Sequence, residues 1–269
     1  MADLMKISKA LVTGGTSGIG LAISKELIAR GVTVYSISRN PEEIEPREGL
    51  ILLKMDLSNP DTILNFTASF IEKYGTPDLL VNNAGYGAFF EWLKFPSEEV
   101  EMQMNVLFIS PVILCKSFAP SINKNGGVIV NISSLATLYP LPYMPIYNAG
   151  KSALSAFTQT MMLESNSNIR WIDYRLGDVN TKFNDSAPKQ DLVEQNESMK
   201  NAWVQIEKQL KESPYPDNIA RGIVECIENN KSGIIYGGGF FQSRIAPFLR
   251  IFLHNKILIR VLKIRYGIR

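Results

Sequence analysis

The stretch ISKALVTGGTSGIGLAISKELIAR, residues 7–30, decides how the chain is expected to fold. Residues 7–13 are mostly apolar and predict a buried strand, and residues 18–30 have the spacing of an amphipathic helix. Gly14 and Gly18 stand in the turn between them, with three residues separating them, which differs from the spacing of G-x-G-x-x-G. Such a turn lets backbone N–H groups and the helix dipole face a diphosphate, although a glycine cluster can also be an ordinary turn.

The rest of the chain continues this alternation of strand and helix. Short β-rich runs alternate with longer amphipathic runs, which predicts repeated β-α units around a buried parallel sheet. Further strands are expected at Val32–Ser38, Leu50–Lys54, Asp78–Asn82, Gly127–Ser133, Ile169–Arg175 and Gly233–Gly237. Further helices are expected at Pro60–Tyr74, Ser97–Asn123, Tyr147–Ser165 and Asp217–Asn229. The fold class is therefore α/β.

Length and composition bound the type of protein. The chain has 269 residues, of which 45% are hydrophobic, enough for one domain with a large core. Cys115 and Cys226 lack metal-ligand spacing, so we expect reduced core thiols and no metal site. The charged first residues precede no apolar run of signal-peptide type, and a cytoplasmic location is expected. No nucleic-acid partner is expected.

The charge is unevenly distributed. Eight of the 28 Lys and Arg residues follow Glu228, and no acidic residue does, so the part up to Glu228 has a net charge of −6. Residues 240–269 combine this charge with apolar side chains and predict a basic amphipathic helical extension of the domain at residues 1–239. Such an extension can lie on an anionic membrane surface, or it can pack on a subunit or over the active site.

Ser134, Tyr147 and Lys151 are the candidate catalytic residues. A helix through residues 147–151 places the Tyr147 phenol and the Lys151 ammonium on one face, where the cation is expected to lower the phenol pKa. Such a phenol can give or take a proton, and a hydroxyl such as Ser134 can hold a substrate oxygen. The spacing alone also suits a surface pair.

Other polar residues fall at the ends of the predicted strands. Arg39 follows the second strand at a place where a carboxylate would bind a ribose 2′-OH, so NADP(H) is favoured over NAD(H), although a solvated surface arginine also fits the pattern. Asp56 can accept from an adenine amino group or can be an exposed loop carboxylate. Asn83 and Gly85 form a turn that lets backbone lie against a ligand or a strand. Asn105 can be a structural amide or part of a proton relay.

The chain resembles the short-chain dehydrogenase/reductase family in its motifs TGGTSGIG, NNAG and YNAGK, with Asn105 and Ser134 in the expected order. The likeness covers about residues 7–237 and implies a doubly wound, mostly parallel seven-stranded sheet of the Rossmann type. It implies that Tyr147 is the general acid/base, that Lys151 lowers its pKa and binds a ribose, that Ser134 positions the substrate oxygen, and that Asn105 holds a relay water.

The same resemblance implies which residues bind the cofactor. They are Gly14, Thr16, Ser17, Gly18, Ile19, Arg39, Asp56, Asn83, Gly85, Tyr147, Lys151, Gly177, Val179 and Thr181. One departure is that Leu176 and Asp178 stand in a loop where the family usually has Pro-Gly-x-x-x-Thr, so the loop loses a proline and gains a charge. The family also implies a homodimer or homotetramer formed through the helices at 97–123 and 147–165.

The expected function is interconversion of a ketone and a secondary alcohol with NADP(H). Apolar loop residues suggest a bulky lipid-like or steroid-like substrate, with residues 181–214 as a lid; they are Tyr86, Phe89, Phe90, Trp92, Leu135, Leu138, Tyr139, Leu141, Tyr143 and Met144. The alternatives are a catalytically idle cofactor-binding scaffold or redox sensor, and a membrane-surface recognition module.

Overall fold

The computed structural model describes residues 7–41, 45, 47–164, 168–181 and 187–268. Within this part seven strands form one sheet: β1 Lys9–Thr13, β2 Thr33–Ser38, β3 Leu50–Lys54, β4 Leu79–Asn82, β5 Val128–Ser134, β6 Arg170–Leu176 and β7 Gly233–Gly237. All neighbouring strands are parallel, in the order β3-β2-β1-β4-β5-β6-β7. The predicted doubly wound sheet is confirmed, and every predicted strand lies within two residues of its observed bounds.

The helices are α1 Gly18–Ile28, α2 Ile63–Tyr74, α3 Ser97–Met104, α4 Ser110–Asn125, α5 Pro145–Glu164, α6 Glu197–Lys211, α7 Pro216–Glu228, α8 Ala246–Phe252 and α9 Asn255–Tyr266. The predicted helix at 97–123 is interrupted by a π-helical turn, Asn105–Ile109. Helix α6 was not predicted, because the sequence analysis treated residues 181–214 as a lid. Residues 182–186 of that lid lie outside the described part of the chain.

Helices cover both faces of the sheet because successive strand residues point to opposite sides. Val12 and Val34 pack with α1 and α7, whereas Leu11 and Tyr35 pack with α2 and α4. The segment Ser97–Lys124 is long and apolar enough to cross a bilayer. Its Leu114, Phe118 and Ile122 are buried against the sheet, as in a core helix.

A third apolar cluster lies beyond the carboxyl ends of the strands. It contains Phe89, Met144, Met199, Trp203 and Tyr266, so α6 and α9 pack together there. The Tyr139 hydroxyl also donates to the Ala246 carbonyl at 2.6 Å. The inner side of residues 240–268 therefore packs on the domain, in agreement with one of the two alternatives for this segment.

Candidate active site

The turn between β1 and α1 is built for close backbone approach. Gly14 and Gly18 have φ angles of 66° and 48°, a region that glycine adopts without strain. A Cβ on Gly20 would lie 2.1 Å from the Gly14 carbonyl oxygen, so the turn also needs glycine there. Ser17 stands at the helix N-cap but makes no side-chain capping bond, and the first turn contains no acidic residue. The unpaired backbone N–H groups of the first helical turn and the helix dipole therefore fit a phosphate group.

The turn after β4 braces the glycine turn. The Asn83 side chain donates to the Thr13 carbonyl at 3.0 Å, and the Asn83 and Ala84 backbone N–H groups donate to Thr13 Oγ1 at 3.0 Å. A Cβ on Gly85 would lie 3.4 Å from Lys151 Nζ. Asn83 thus connects the ends of the two central strands, at the point where the strand order reverses. Gly85, in the same turn, lies next to the candidate catalytic lysine.

Arg39 and Asp56 line the cavity beside the ends of β2 and β3. Arg39 is exposed and forms no ion pair with any residue in the described ranges. Asp56 accepts from the Ser58 backbone N–H at 2.9 Å, and the buried Ser38 hydroxyl has no partner among the described residues. An unpaired guanidinium and a free hydroxyl fit the ribose and 2′-phosphate of a nucleotide.

Ser134, Tyr147 and Lys151 meet at the wall of the same cavity. Ser134 ends β5, and the other two lie one turn apart in α5. The Ser134 and Tyr147 hydroxyls share a hydrogen bond, and the buried Lys151 ammonium donates to the Ile132 carbonyl at 2.7 Å. The Ala136 backbone N–H donates to Ser134 Oγ at 3.0 Å and holds its orientation. The Tyr147 phenol, which can give a proton, and the Ser134 hydroxyl therefore lie side by side at the cavity wall.

The pKa of the Tyr147 phenol is raised, which is opposite to the direction expected from the sequence. Burial is the main cause; the bond to Ser134 lowers the pKa in part, and the Asp178 carboxylate raises it. Burial also lowers the pKa of Lys151 to about 8, against an opposing effect of Asp173. Lys151 is not among the groups that shift the pKa of the phenol, so its charge does not offset burial. Tyr147 is protonated at neutral pH and suits a general acid.

Asn105 lies at the start of the π-helical turn and does not line the cavity. Its side-chain amide donates to the Ser58 carbonyl at 2.9 Å. This contact fits the structural alternative, an amide that bridges backbone groups. Its part in a proton relay stays a prediction.

A buried polar cluster behind the site was not anticipated from the sequence. The Asp173 carboxylate is fully buried and accepts from Ser133, Ser155 and Arg175. A buried charge requires such partners. Asp173 and Arg175, two residues apart in the middle of a strand with apolar neighbours, were the signal in the sequence that a paired charge lies here.

The loop after β6 keeps the predicted residues Gly177, Val179 and Thr181 at the cavity wall. The unpredicted residue here is Gln242. Its Oε1 accepts from the Asp178 backbone N–H at 3.0 Å, and its Nε2 donates to Asp178 Oδ2 at 2.5 Å. Gln242, in the segment after β7, therefore fixes the position of the loop that lacks the proline of the family pattern.

The cavity has a volume of about 730 Å³, and apolar side chains line one part of it. Half of the predicted substrate-loop residues line it: Tyr86, Leu135, Tyr139, Leu141 and Met144. The other five do not, and Phe89 among them is wholly buried in the third cluster. Coverage of the site by residues 181–214 and by the C-terminal segment was among the expectations, but their individual cavity residues were not predicted; α6 and the C-terminal segment supply Ile206, Leu210, Leu249, Leu253, Leu258, Val261, Leu262, Arg265 and Tyr266.

A family description for short chain dehydrogenases matches residues 8–192, more than half of the chain. The chain belongs to the short-chain dehydrogenase family. It is therefore an oxidoreductase, with a fold that binds a nicotinamide nucleotide. Within the described residues, all predicted site residues of this short-chain dehydrogenase except Asn105 line one cavity.

Similar proteins include reductases and dehydrogenases. The 3-ketodihydrosphingosine reductase of Bacteroides thetaiotaomicron is 28% identical over 272 residues, covering 96% of this chain and 98% of that protein. The NADPH-dependent 1-acyldihydroxyacetone phosphate reductase of Saccharomyces cerevisiae is 29% identical over 271 residues, covering 94% and 90%. The mouse 15-hydroxyprostaglandin dehydrogenase [NAD(+)] is 29% identical over 240 residues, covering 82% and 85%.

A solved short-chain dehydrogenase from Streptomyces avermitilis has the same fold. It superposes with a TM-score of 0.80 at 21% identity, covering 99% of this chain and 97% of that one. The superposition includes the C-terminal segment, since nearly the whole chain is covered.

Proposed function

We propose that the chain reduces a ketone on a long apolar molecule to a secondary alcohol, with NADPH as the hydride donor. The observation that supports this most is the hydrogen-bonded pair Ser134 and Tyr147, next to the buried Lys151, at the wall of a cavity with an apolar side. An idle cofactor-binding scaffold has no need of this arrangement.

The glycine turn and the adjoining strand ends would hold the cofactor. Gly14 and Gly18 would lie against the diphosphate, Arg39 would pair with a 2′-phosphate, and Asp56 would face the adenine. Lys151 would contact the nicotinamide ribose. When bound, a reduced nicotinamide supplies a hydride to the carbonyl carbon.

The side chains near the carbonyl would complete the reduction. Ser134 would donate a hydrogen bond to the ketone oxygen and so orient it. Tyr147 would give its proton to that oxygen as the carbon receives the hydride, which yields the alcohol. The raised pKa of the phenol keeps the proton in place at neutral pH, as the acid in a reduction requires.

The substrate class is supported by the cavity and by the relatives. The substrates named for two reductases that align with more than nine-tenths of this chain, 3-ketodihydrosphingosine and 1-acyldihydroxyacetone phosphate, are both ketones with a long hydrocarbon chain. The leucine side chains that α8 and α9 bring to the cavity would contact such a chain. Burial of methylene groups there contributes about 0.8 kcal/mol each.

The test measures NADPH oxidation with long-chain and short-chain ketones for the wild type and Tyr147→Phe. The wild type is expected to prefer long chains, and the variant to lose about 100- to 10,000-fold in kcat while still binding NADPH. Tyr215→Phe, an exposed tyrosine outside the cavity, is the matched control. If the wild type binds NADPH but reduces no ketone, the scaffold or redox sensor is the better account.

The outer side of the C-terminal segment supports a second part of the proposal, contact with a membrane surface. Eleven large apolar side chains are exposed between residues 240 and 264; Phe241, Leu249 and Val261 line the cavity, and the other eight, including Phe248, Ile251 and Phe252, do not. Basic residues such as Lys256 and Arg260 lie among them, with no acidic residue. A second copy would bring like charges together, whereas an anionic bilayer accepts both apolar and basic side chains.

The membrane proposal is tested by sedimentation with vesicles of phosphatidylcholine, with and without phosphatidylglycerol. The wild type is expected to pellet with anionic vesicles. The triple variant Lys256→Gln, Arg260→Gln, Lys263→Gln should bind about 100-fold more weakly, because each basic residue near such a surface contributes about 1 kcal/mol. Lys25→Gln, Lys73→Gln, Lys124→Gln is the control. Equal pelleting of both variants would contradict the proposal, as would a wild type that stays in the supernatant with anionic vesicles.

The proposed place of action is the cytoplasmic surface of a membrane. Both cysteines are free thiols, as in a reducing compartment.

We also propose a homodimer or homotetramer through the helices predicted at 97–123 and 147–165. Support comes from α5, which leaves Leu163 87% exposed. Light scattering of the wild type and Leu163→Glu tests this: the substitution should produce a monomer, and a wild type that is already monomeric rules the oligomer out.

A further inference from the structure

The loop after β6 brings a carboxylate to the cavity wall. Asp178 lines the cavity with Ser134 and Tyr147. Both its backbone N–H and its Oδ2 are hydrogen-bonded to the Gln242 side chain. A Cβ on Gly177 would lie 2.4 Å from Gln242 Oε1, so glycine allows this approach. The position of the carboxylate is therefore fixed from two segments.

The charge on Asp178 acts on the reacting position. It raises the pKa of the Tyr147 phenol, so its field reaches the atom that would face the carbonyl oxygen. Burial raises the pKa of Asp178 itself, while Gln242 and then Arg265 oppose this. Within the part of the chain that the structure describes, its carboxylate accepts one hydrogen bond, from Gln242. A carboxylate offers about four acceptor sites, and a partly buried one is stabilised by a cation.

We propose that Asp178 binds a protonated amine on the carbon next to the reacting carbonyl, so that the substrate class is a long-chain amino ketone. The inference rests on the proposed ketone reduction and names its substrate more closely. The ammonium would donate to the carboxylate while the ketone oxygen lies between Ser134 and Tyr147.

The sign of the charge decides between an amine and a phosphate at this position. Two cationic side chains also line this part of the cavity: the buried Lys151, whose ammonium donates to the Ile132 carbonyl, and the exposed Arg265 on α9. Among the groups that shift the pKa of Tyr147, Asp178 is present and neither cation is. A phosphate next to the carbonyl would therefore meet the carboxylate first, at a cost in electrostatic energy.

The experiment compares three ketones of equal chain length: 3-ketodihydrosphingosine, its N-acetyl derivative and a ketone without nitrogen. Steady-state kinetics with NADPH are measured for the wild type, Asp178→Asn and the control Glu72→Gln, an exposed carboxylate on α2. The wild type should prefer the amine. Asp178→Asn should lose about 10- to 100-fold in kcat/KM for the amino ketone, the range for a hydrogen bond between charged groups, and little for the other two.

Calorimetric binding of dihydrosphingosine and its N-acetyl form, with NADP bound, gives a readout that needs no turnover. Asp178→Asn should weaken only the amine. Equal losses for all three ketones, or equal affinity of the wild type for both binding probes, would overturn the amine assignment while leaving ketone reduction intact. A wild type that reduces none of the ketones, yet binds the amine in an Asp178-dependent way, would reject the proposed function and retain the site.

Discussion

The two ends of the cavity are built in different ways. One end, which we call the cofactor end, is formed by strand-to-helix turns and includes Gly14 and Arg39. The other, which we call the substrate end, is formed by side chains such as Leu253 and Tyr266 from residues 240–268, after the last strand. Turn geometry is fixed by local sequence, whereas a wall of side chains depends on how distant segments pack.

Because of this difference, the two ends tolerate different kinds of substitution. At the cofactor end, backbone groups approach within contact distance, so a single added methyl group is disruptive. At the substrate end, apolar side chains can be exchanged with a graded loss of contact area. Substitutions at one end should therefore leave the function of the other intact.

Gly20→Ala should have the largest effect. The added Cβ would lie 2.1 Å from the Gly14 carbonyl oxygen, and backbone cannot yield as a side chain can. We expect NADPH binding to fall at least 100-fold, measured by fluorescence titration, together with a lower Tm. Gly222→Ala in α7, whose Cβ would meet nothing closer than 3.5 Å, is the control. Normal NADPH binding by Gly20→Ala would remove the steric account of the turn.

Lys151, where the two ends meet, should make stability depend on pH. Its folded-state pKa of about 8 lies below the value of 10.5 for an exposed lysine, so its charge destabilises the fold below pH 8. Between pH 8 and 10.5 the unfolded chain binds more protons, and stability should rise with pH. Relative to Lys151→Met, the unfolding free energy should rise by at most about 3 kcal/mol across this window. Urea denaturation of both proteins checks this; parallel pH profiles would contradict it.

Arg39→Ala tests the charge at the cofactor end. Loss of the contact with a 2′-phosphate should raise KM for NADPH by about 10- to 100-fold and leave KM for NADH unchanged. The control is Arg47→Ala, an exposed arginine that does not line the cavity. If NADPH and NADH are affected alike, Arg39 does not discriminate between them.

Leu253→Ser tests the substrate end and should have the smallest effect. Loss of part of the apolar wall should raise KM for a long-chain ketone by about tenfold, since burial of a leucine side chain contributes about 1.5–3 kcal/mol. KM for a short ketone and for NADPH should not change. Ile251→Ser, on the outer side and 75% exposed, is the control. An equal effect from Ile251→Ser would mean that α8 and the residue after it act as a whole rather than through the side that lines the cavity.

The sequence predicted the strands and the meeting of Ser134, Tyr147 and Lys151, because parallel β-α units leave few alternative topologies. Prediction was weakest for the elements whose structure depends on packing against distant segments. Helix α6 was taken for a lid, since its apolar face is buried only against the C-terminal segment and the third cluster. The π-helical turn at Asn105 has no simple local signature.

The pKa of Tyr147 shows the same limit for electrostatics. Helix spacing correctly placed Lys151 one turn away, but spacing does not reveal burial or the carbonyl to which a lysine donates. Those depend on the strand ends and on the segment that covers them. Asp178 was noticed as a departure from the family loop, while its partner Gln242, 64 residues later, could not be found from the sequence.

The packing of residues 240–268 over the cavity also sets an order of assembly during synthesis. A growing chain folds from its N-terminal part, and all seven strands are made once Gly237 has been added. A chain that ends at Gly237 therefore has all residues of the cofactor end but none of the side chains that α8 and α9 bring to the substrate end.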